Sequence, residues 1–409
     1  MVQKTDSSTT MLSGDAFVRD RPTILSYSAL GAYTFWLYAF GPALALLRAE
    51  LNFSYTMISV YSALWAAGSV VAGAAFAPLA TALGRRAVLG WSALVTTAGA
   101  ALFTLSHSIT ITLLGAVVMG LAGTTVQTTT QSVLADHHGP RRDRALVEMN
   151  IGAGLGAVAA PLALGLSQAT TSTWRTAMAV PAVALAVLAV VYRHEPLPAP
   201  PPRPPHNPSH RRASRLSLAC WLLCLLVAVG IGVEFSVVYF GAELLTAAHG
   251  LATATAAAAM TTFYAGILLG RVAAVRLTRR PGQAGFLLGL SLAVTLAGLV
   301  ALWLPGGSTL ALLALFVAGL GIANQFPLAL ALALAAAPGN TDAANARAQL
   351  LGGVLVLAAP FLLGSLADRL GMSAGFAVAP LLTALSGLLL YAALRQERRG
   401  SELVQFRWK

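Results

Sequence analysis

The 409-residue sequence predicts an all-α membrane protein whose twelve transmembrane helices form two pseudo-symmetric six-helix bundles. Three observations predict it. Hydrophobic residues make up 57% of the chain and charged ones only 10%, a balance outside the range of ordinary soluble domains. Twelve apolar runs of about 20 or more residues follow one another, each long enough at 1.5 Å per residue to cross a hydrocarbon core of roughly 30 Å. The runs also repeat. "LLGAVVMGLAG" at 113–123 aligns with "LLALFVAGLGI" at 312–322, and the same register pairs Pro161 with Pro360, Gly165 with Gly364 and Pro181 with Pro380. Parallel repeats of this kind place a site between two halves, near the middle of the membrane.

Residues 1–22 carry Asp6, Asp15 and Asp20 and no short apolar stretch with a cleavage site. They read as a cytoplasmic tail with no removable signal peptide. The first half, 23–193, holds spans at 23–47, 56–81, 87–106, 108–135, 146–168 and 174–193. Residues 194–215, "HEPLPAPPPRPPHNPSHRRASR", are dense in Pro, Arg and His and read as an extended, solvated linker. The spacings of His194, His206 and His210 fit no familiar metal-ligand set. The second half, 216–395, holds spans at 216–246, 253–276, 283–304, 308–336, 343–368 and 373–395, and 396–409 form a second tail.

Charge orients these spans. An even number of crossings leaves both termini on one side, and that side carries 22 of the 26 Lys and Arg residues, against Arg48, Arg175 and Arg369 on the other. The positive-inside rule therefore places both ends in the cytoplasm. The net charge of +12 is then explained by loops facing an anionic leaflet, and no nucleic-acid partner is inferred. Cys220 and Cys224 share one helix face, where a disulfide is geometrically poor.

Polar residues inside apolar runs are the candidate functional groups. In the first span Phe35, Trp36 and Tyr38 could stack on a substrate or simply pack. In the fourth, Thr124, Gln127, Thr128 and Gln131 fall at i, i+3, i+4 and i+7, on one helix face. They could hold a hydroxylated ligand or bond to neighbouring helices. The seventh span holds two acids, Glu234 and Glu243, and Glu234 lies the deeper among apolar residues. An acid in hydrocarbon costs several kcal/mol, so it is expected to face protein or a water-filled cavity as a proton or substrate site, a structural partner, or a group exposed at the mouth. Counting from Leu216 puts it in the outer half of the span. Glu243, nearer the external surface, reads as interfacial. Arg271 lies close to Arg276 at a cytoplasmic helix end, where it can snorkel or gate. No nucleophile and base pair, phosphate loop or metal-ligand cluster appears, which argues against an enzyme, an ATP-driven pump and a bound cofactor.

Two motifs resemble a known family. "APLATALGRRAVLG" at 77–90 resembles the loop after the second span of the major facilitator superfamily: Gly84, Arg85 and Arg86 match the second part of its pattern. The Asp of the first part is missing, although the basic pair can still anchor the turn. "GVEFSVVYFGAELL", "GILLGR" at 266–271 and "GLGIANQFPLALALA" at 319–333 look most like the fucose permease type of sugar and proton symporters. The resemblance implies the major facilitator fold, with the first, fourth, seventh and tenth spans around a cavity. It thereby adds Asn324 and Gln325 to Trp36, Tyr38, Thr124, Gln127 and Gln131 as candidate substrate contacts. The resulting expectation is a monomeric secondary transporter in the cell membrane, surrounded by lipid, that works by alternating access with Glu234 carrying the proton. Symport of a sugar-like solute is the first reading. Proton-coupled export of amphipathic compounds is the second, and a transporter-like sensor or embedded enzyme is the alternative of a different class.

Overall fold

Helix α1 (Arg21–Leu51) begins where the sequence first offers a cap. In the computed structural model, which describes residues 17–192, 194–198, 216–277, 283–338 and 340–406, the Asp20 side chain accepts hydrogen bonds from the Thr23 N–H at 3.3 Å and the Thr23 hydroxyl at 2.6 Å. Pro22 in the first turn has no N–H to leave unpaired. Partial burial works against ionisation of Asp20, but hydrogen bonds from Thr23 and His137 outweigh it and hold the carboxyl below its ordinary range. The chain continues as α2 (Tyr55–Leu83), α3 (Arg85–Leu105), α4 (Ile109–His138), α5 (Arg142–Thr171) and α6 (Arg175–Val191). The second half comprises α7 (Leu218–His249), α8 (Thr253–Leu277), α9 (Ala284–Trp303), α10 (Ser308–Ile322), α11 (Gln325–Ala335), α12 (Thr341–Leu370), α13 (Met372–Phe376) and α14 (Val378–Phe406).

Among the described residues, eleven stretches are long and apolar enough to cross a membrane, and α6, with 17 residues, is a shorter twelfth. The protein is therefore a multi-pass, all-α membrane protein. Large apolar side chains such as Phe286, Leu388 and Trp91 lie 72%, 67% and 64% exposed on its outer faces, where lipid is the solvent. Most of the Pro-rich linker, with His206 and His210, lies outside the described residues.

Two expected spans are not single helices. The tenth breaks between Ile322 and Gln325 because Pro327 has no N–H to donate to the Ala323 carbonyl. Asn324 sits at the break, and its amide donates to the Gly270 carbonyl at 2.8 Å. The twelfth steps at Ala377, between α13 and α14, where Pro380 likewise removes the bond to Phe376.

The sequence repeat becomes a repeat of helix contacts. A Cβ on Gly120 would lie 2.1 Å from the Trp65 carbonyl oxygen, and one on Gly319 would lie 2.1 Å from that of Phe263. Thus α4 meets α2 as α10 meets α8, backbone against backbone, which only glycine permits. Gly99 against Met119 and Gly298 against Ala318 form a second such pair between α3 and α4 and between α9 and α10.

Candidate functional site

The two bundles, α1–α6 and α7–α14, pack on each other through α1 with α7 and α8, α2 with α12, and α5 with α8. With the end where α1 begins taken as the terminus side, hydrogen bonds join the bundles on the opposite, distal side and near the helix middles. Arg48 at the distal end of α1 donates to Glu243 on α7 at 3.1 Å. Its guanidinium also lies 3.8 Å from the centre of the Tyr55 ring. Asp368, near the end of α12, accepts hydrogen bonds from the backbone N–H groups of Tyr55 and Thr56 at 2.7 and 2.8 Å, and from the Thr56 hydroxyl at 2.6 Å. A carboxylate of the second bundle thus caps the positive end of a helix of the first. Below it, Ser59 donates to the Pro360 carbonyl at 2.7 Å, and Thr261 on α8 donates to that of Val158 on α5 at 3.2 Å.

Glycines allow this closure. A Cβ on Gly41 would lie 2.0 Å from the Val238 carbonyl oxygen, one on Gly165 2.3 Å from the Ala258 Cβ, and one on Gly364 2.8 Å from Tyr55 and Ser59 oxygens. Gly165 and Gly364 are partners in the sequence repeat, and they serve the related contacts α5 with α8 and α12 with α2.

Glu243 corrects an expectation. It is not interfacial but 4% exposed, because α1 and α7 meet over it. Its second oxygen, the Arg48 Nε and the Thr246 hydroxyl have no hydrogen-bond partner. A buried network satisfied in part is costly. The distal contact is therefore held with little surplus.

The cluster nearest the middle of the molecule is built on Glu234. Helix α7 runs past the expected end at 246 to His249, which places Glu234 near its middle and not in its outer half. Tyr38 on α1 faces it from the other bundle. The Tyr38 hydroxyl lies in the electrostatic field of both Glu234 and Arg271 of α8. Tyr264 packs edge-on against the Tyr38 ring at 5.0 Å and donates its hydroxyl proton to the Tyr38 carbonyl at 3.4 Å. Arg271 also acts on Glu234 electrostatically. Arg271 thus lies within electrostatic reach of both residues from the terminus-side half of α8. Glu234 and Tyr38 are half-buried and Arg271 is exposed.

The remaining candidates divide. Gln127 and Gln131 are half-buried, and neither amide is hydrogen-bonded to a described residue. Thr124 donates to Ser69 at 2.8 Å and is tied to α2. Trp36 is fully buried, and its indole N–H is used by the Met178 carbonyl at 2.9 Å; it packs α1 on α6 and has no free face for a ligand. Gln325 is 3% exposed and donates to Thr295 at 2.7 Å, which makes it packing of the second bundle. Asn324 is spent on the break in the tenth span.

At the terminus side, Gly84 turns the chain between α2 and α3 at φ +78°, a conformation that favours glycine. Arg85 is 6% exposed and binds Asp136 of α4 at 2.6 Å. The carboxylate missing from the loop is thus supplied by another helix. Asp20, His137 and His138 bring three potential ligand atoms within 4.8 Å of one another, but His137 is bonded to Asp20 at 2.5 Å and His138 to Thr23 at 2.8 Å. These bonds tie the ends of α1 and α4.

Sequence reasoning passed over Arg48, Asp368 and Tyr264. Arg48 and Asp368 look like ordinary loop-end charges, and the only available signal was that Arg48 is one of three basic residues on the sparsely charged side.

Comparison with known proteins follows this geometry. The sequence profile of the Major Facilitator Superfamily matches residues 25–240. No curated relative matches the chain in sequence. Among solved structures, a mutant of the peptide transporter POT superposes with a TM-score of 0.73 at 17% identity, over 91% of this chain and 94% of that one. A mutant of the nucleoside transporter NupG gives 0.70 at 14% identity, over 91% and 98%. A bacterial homolog of the human lysosomal transporter Spinster, in an inward-facing and occupied conformation, gives 0.68 at 15% identity, over 91% and 95%.

Proposed function

The chain belongs to the Major Facilitator Superfamily, and on that premise we propose that it couples the movement of a small polar organic solute to that of a proton by alternating access. The observation that carries this reading is the Glu234, Tyr38 and Arg271 cluster. An acid, a phenol and a guanidinium from α7, α1 and α8 lie together near the helix middles, below the distal contact, and none is fully buried. In alternating access, an acid in such a place exchanges a proton with each side in turn. Gln127 and Gln131, with free amides, supply donors and acceptors for a hydroxylated solute, which supports sugar-like symport.

The charge distribution supports cytoplasmic termini, and on this reading the terminus side is the cytoplasmic one. A single cysteine at Asn207, in a chain with Cys220 and Cys224 replaced, resists an impermeant thiol reagent added to intact cells, whereas one at Gly306 reacts. The reverse pattern would place the termini outside.

Coupling is tested in proteoliposomes containing a pH dye, with solutes first selected by thermal shift from sugars, organic acids and cationic drugs. A transported solute added outside acidifies the lumen as it enters. Solute entry with no pH change would show an uncoupled carrier and overturn the proton assignment.

A further inference from the structure

Two apolar hollows meet at the Arg86 guanidinium on the terminus side of the first bundle. The first, about 220 Å³, lies between α1, α3 and α6 and is lined by Leu25, Ala29, Leu89, Leu185 and Leu188. At their distal ends α3 and α6 are tied by Arg175, which donates to the Thr104 carbonyl at 2.7 Å; the hollow occupies the space between them at the other end. The second, about 500 Å³, runs over the outer face of α3 along Leu83, Ala87, Trp91 and Leu94. Arg86 and Gly90 line both.

The charges around this junction are unequal in a useful way. Arg85 is bonded to Asp136, and Arg21 is paired with Glu195 at 2.9 Å, which neutralises the one acid in the first hollow. Arg86 is exposed and has no hydrogen bond or ion pair with any described residue. One positive charge is left over, at the level where lipid headgroups lie. Gly90 stands one helical turn deeper, and a Cβ there would meet nothing within 4 Å. From Arg86 to Leu94 the helix descends about 12 Å toward the membrane middle, a depth that suits acyl chains.

We propose that Arg86 and the two hollows flanking Gly90 form a seat for one diacyl phospholipid of net negative charge from the terminus-side leaflet. The headgroup phosphate lies on Arg86, with one acyl chain in the hollow between α1, α3 and α6 and the other along Trp91 and Leu94. A zwitterionic lipid is disfavoured because its cationic group would find no free carboxylate among the described residues lining the hollows: Glu195 is already held by Arg21. The seat lies on the outer face of one bundle, away from the Glu234 cluster, and so does not depend on the transported solute.

The test uses the full chain in phosphatidylcholine vesicles containing rising fractions of either phosphatidylglycerol or phosphatidylcholine with brominated acyl chains. Subtracting the fluorescence of a Trp91→Phe variant isolates quenching of Trp91. Brominated phosphatidylglycerol is expected to half-quench Trp91 at a mole fraction about fivefold lower than brominated phosphatidylcholine, the scale of one basic residue at an anionic surface. Arg86→Gln removes that preference and Arg86→Lys keeps it. Gly90→Leu, whose side chain has room on α3 and fills the junction, lowers quenching by both lipids while Arg86 is intact. Equal quenching by the two lipids in the unaltered chain, or an unchanged preference in well-folded Arg86→Gln, would overturn the proposal.

Discussion

Glu234→Gln is expected to abolish accumulation of solute against its gradient while leaving exchange at equal concentrations intact. In a one-to-one symporter a gradient of one pH unit sustains about tenfold accumulation, because each factor of ten corresponds to about 1.4 kcal/mol. Glutamine keeps the shape of the side chain and can still donate and accept hydrogen bonds, but it cannot release a proton. Binding and exchange need no net proton movement and therefore persist; coupling does not. Accumulation falls from about tenfold to about onefold. If Glu234 instead holds the bundle together, glutamine, still able to bond, leaves the accumulation ratio near its original value, and Glu234→Ala lowers the yield of folded protein. Both measurements on one reconstituted variant separate these cases, since only a proton carrier gives lost accumulation with retained exchange.

What the sequence disclosed follows from how each signal is encoded. Span number and the two halves were legible because a membrane imposes a run of apolar residues on every crossing, and because the Pro and Gly pairs recur in register. The helix breaks were not, although Pro327 and Pro380 were visible. Proline is tolerated inside α1, α2, α5, α6 and α12, so its presence alone does not tell a kink from a break. Glu234 stood out as an acid in an apolar run. For Arg271 the distance from the helix end was legible and the direction was not: a long side chain at that depth can reach outward to headgroups or inward toward Tyr38. Trp36 and Gln325 failed for the converse reason. A polar or aromatic residue on a cavity-lining helix has an even chance of facing its own bundle, and these two spend their N–H groups there. The distal contact was the least legible feature, since it joins Arg48 to Glu243 and Thr56 to Asp368 across intervals of 195 and 312 residues.

Replacing Gly364 by leucine is expected to hold the protein open on the distal side. The closed arrangement leaves no space there: a single Cβ would already lie 2.8 Å from the Tyr55 carbonyl oxygen and the Ser59 hydroxyl, and backbone cannot yield as a side chain can. Overpacking of this kind costs about 1–3 kcal/mol, which shifts the balance between closed and open forms about 5- to 150-fold toward open. Ser59 reports the change, since it is 1% exposed and donates to the Pro360 carbonyl across the contact. A Ser59→Cys chain lacking Cys220 and Cys224 is therefore inert to an impermeant thiol reagent applied from the distal side, and adding Gly364→Leu makes it react. Transport falls with it, because the solute can no longer be released on the terminus side. Gly165→Leu, at the repeat-related contact of α5 with Ala258, is expected to do the same. Asp368→Asn is expected to act more weakly, by the 0.5–2 kcal/mol typical of a lost helix cap. The graded order of the three variants matters more than any one of them. If the distal contact is a fixed part of the fold and not one position of a moving pair of bundles, both leucine variants lower the amount of folded protein and Ser59→Cys stays unreactive in the fraction that survives. If the bundles rock, folded protein is kept, Ser59→Cys reactivity rises in the order Asp368→Asn and then the two leucine variants, and transport declines in the same order.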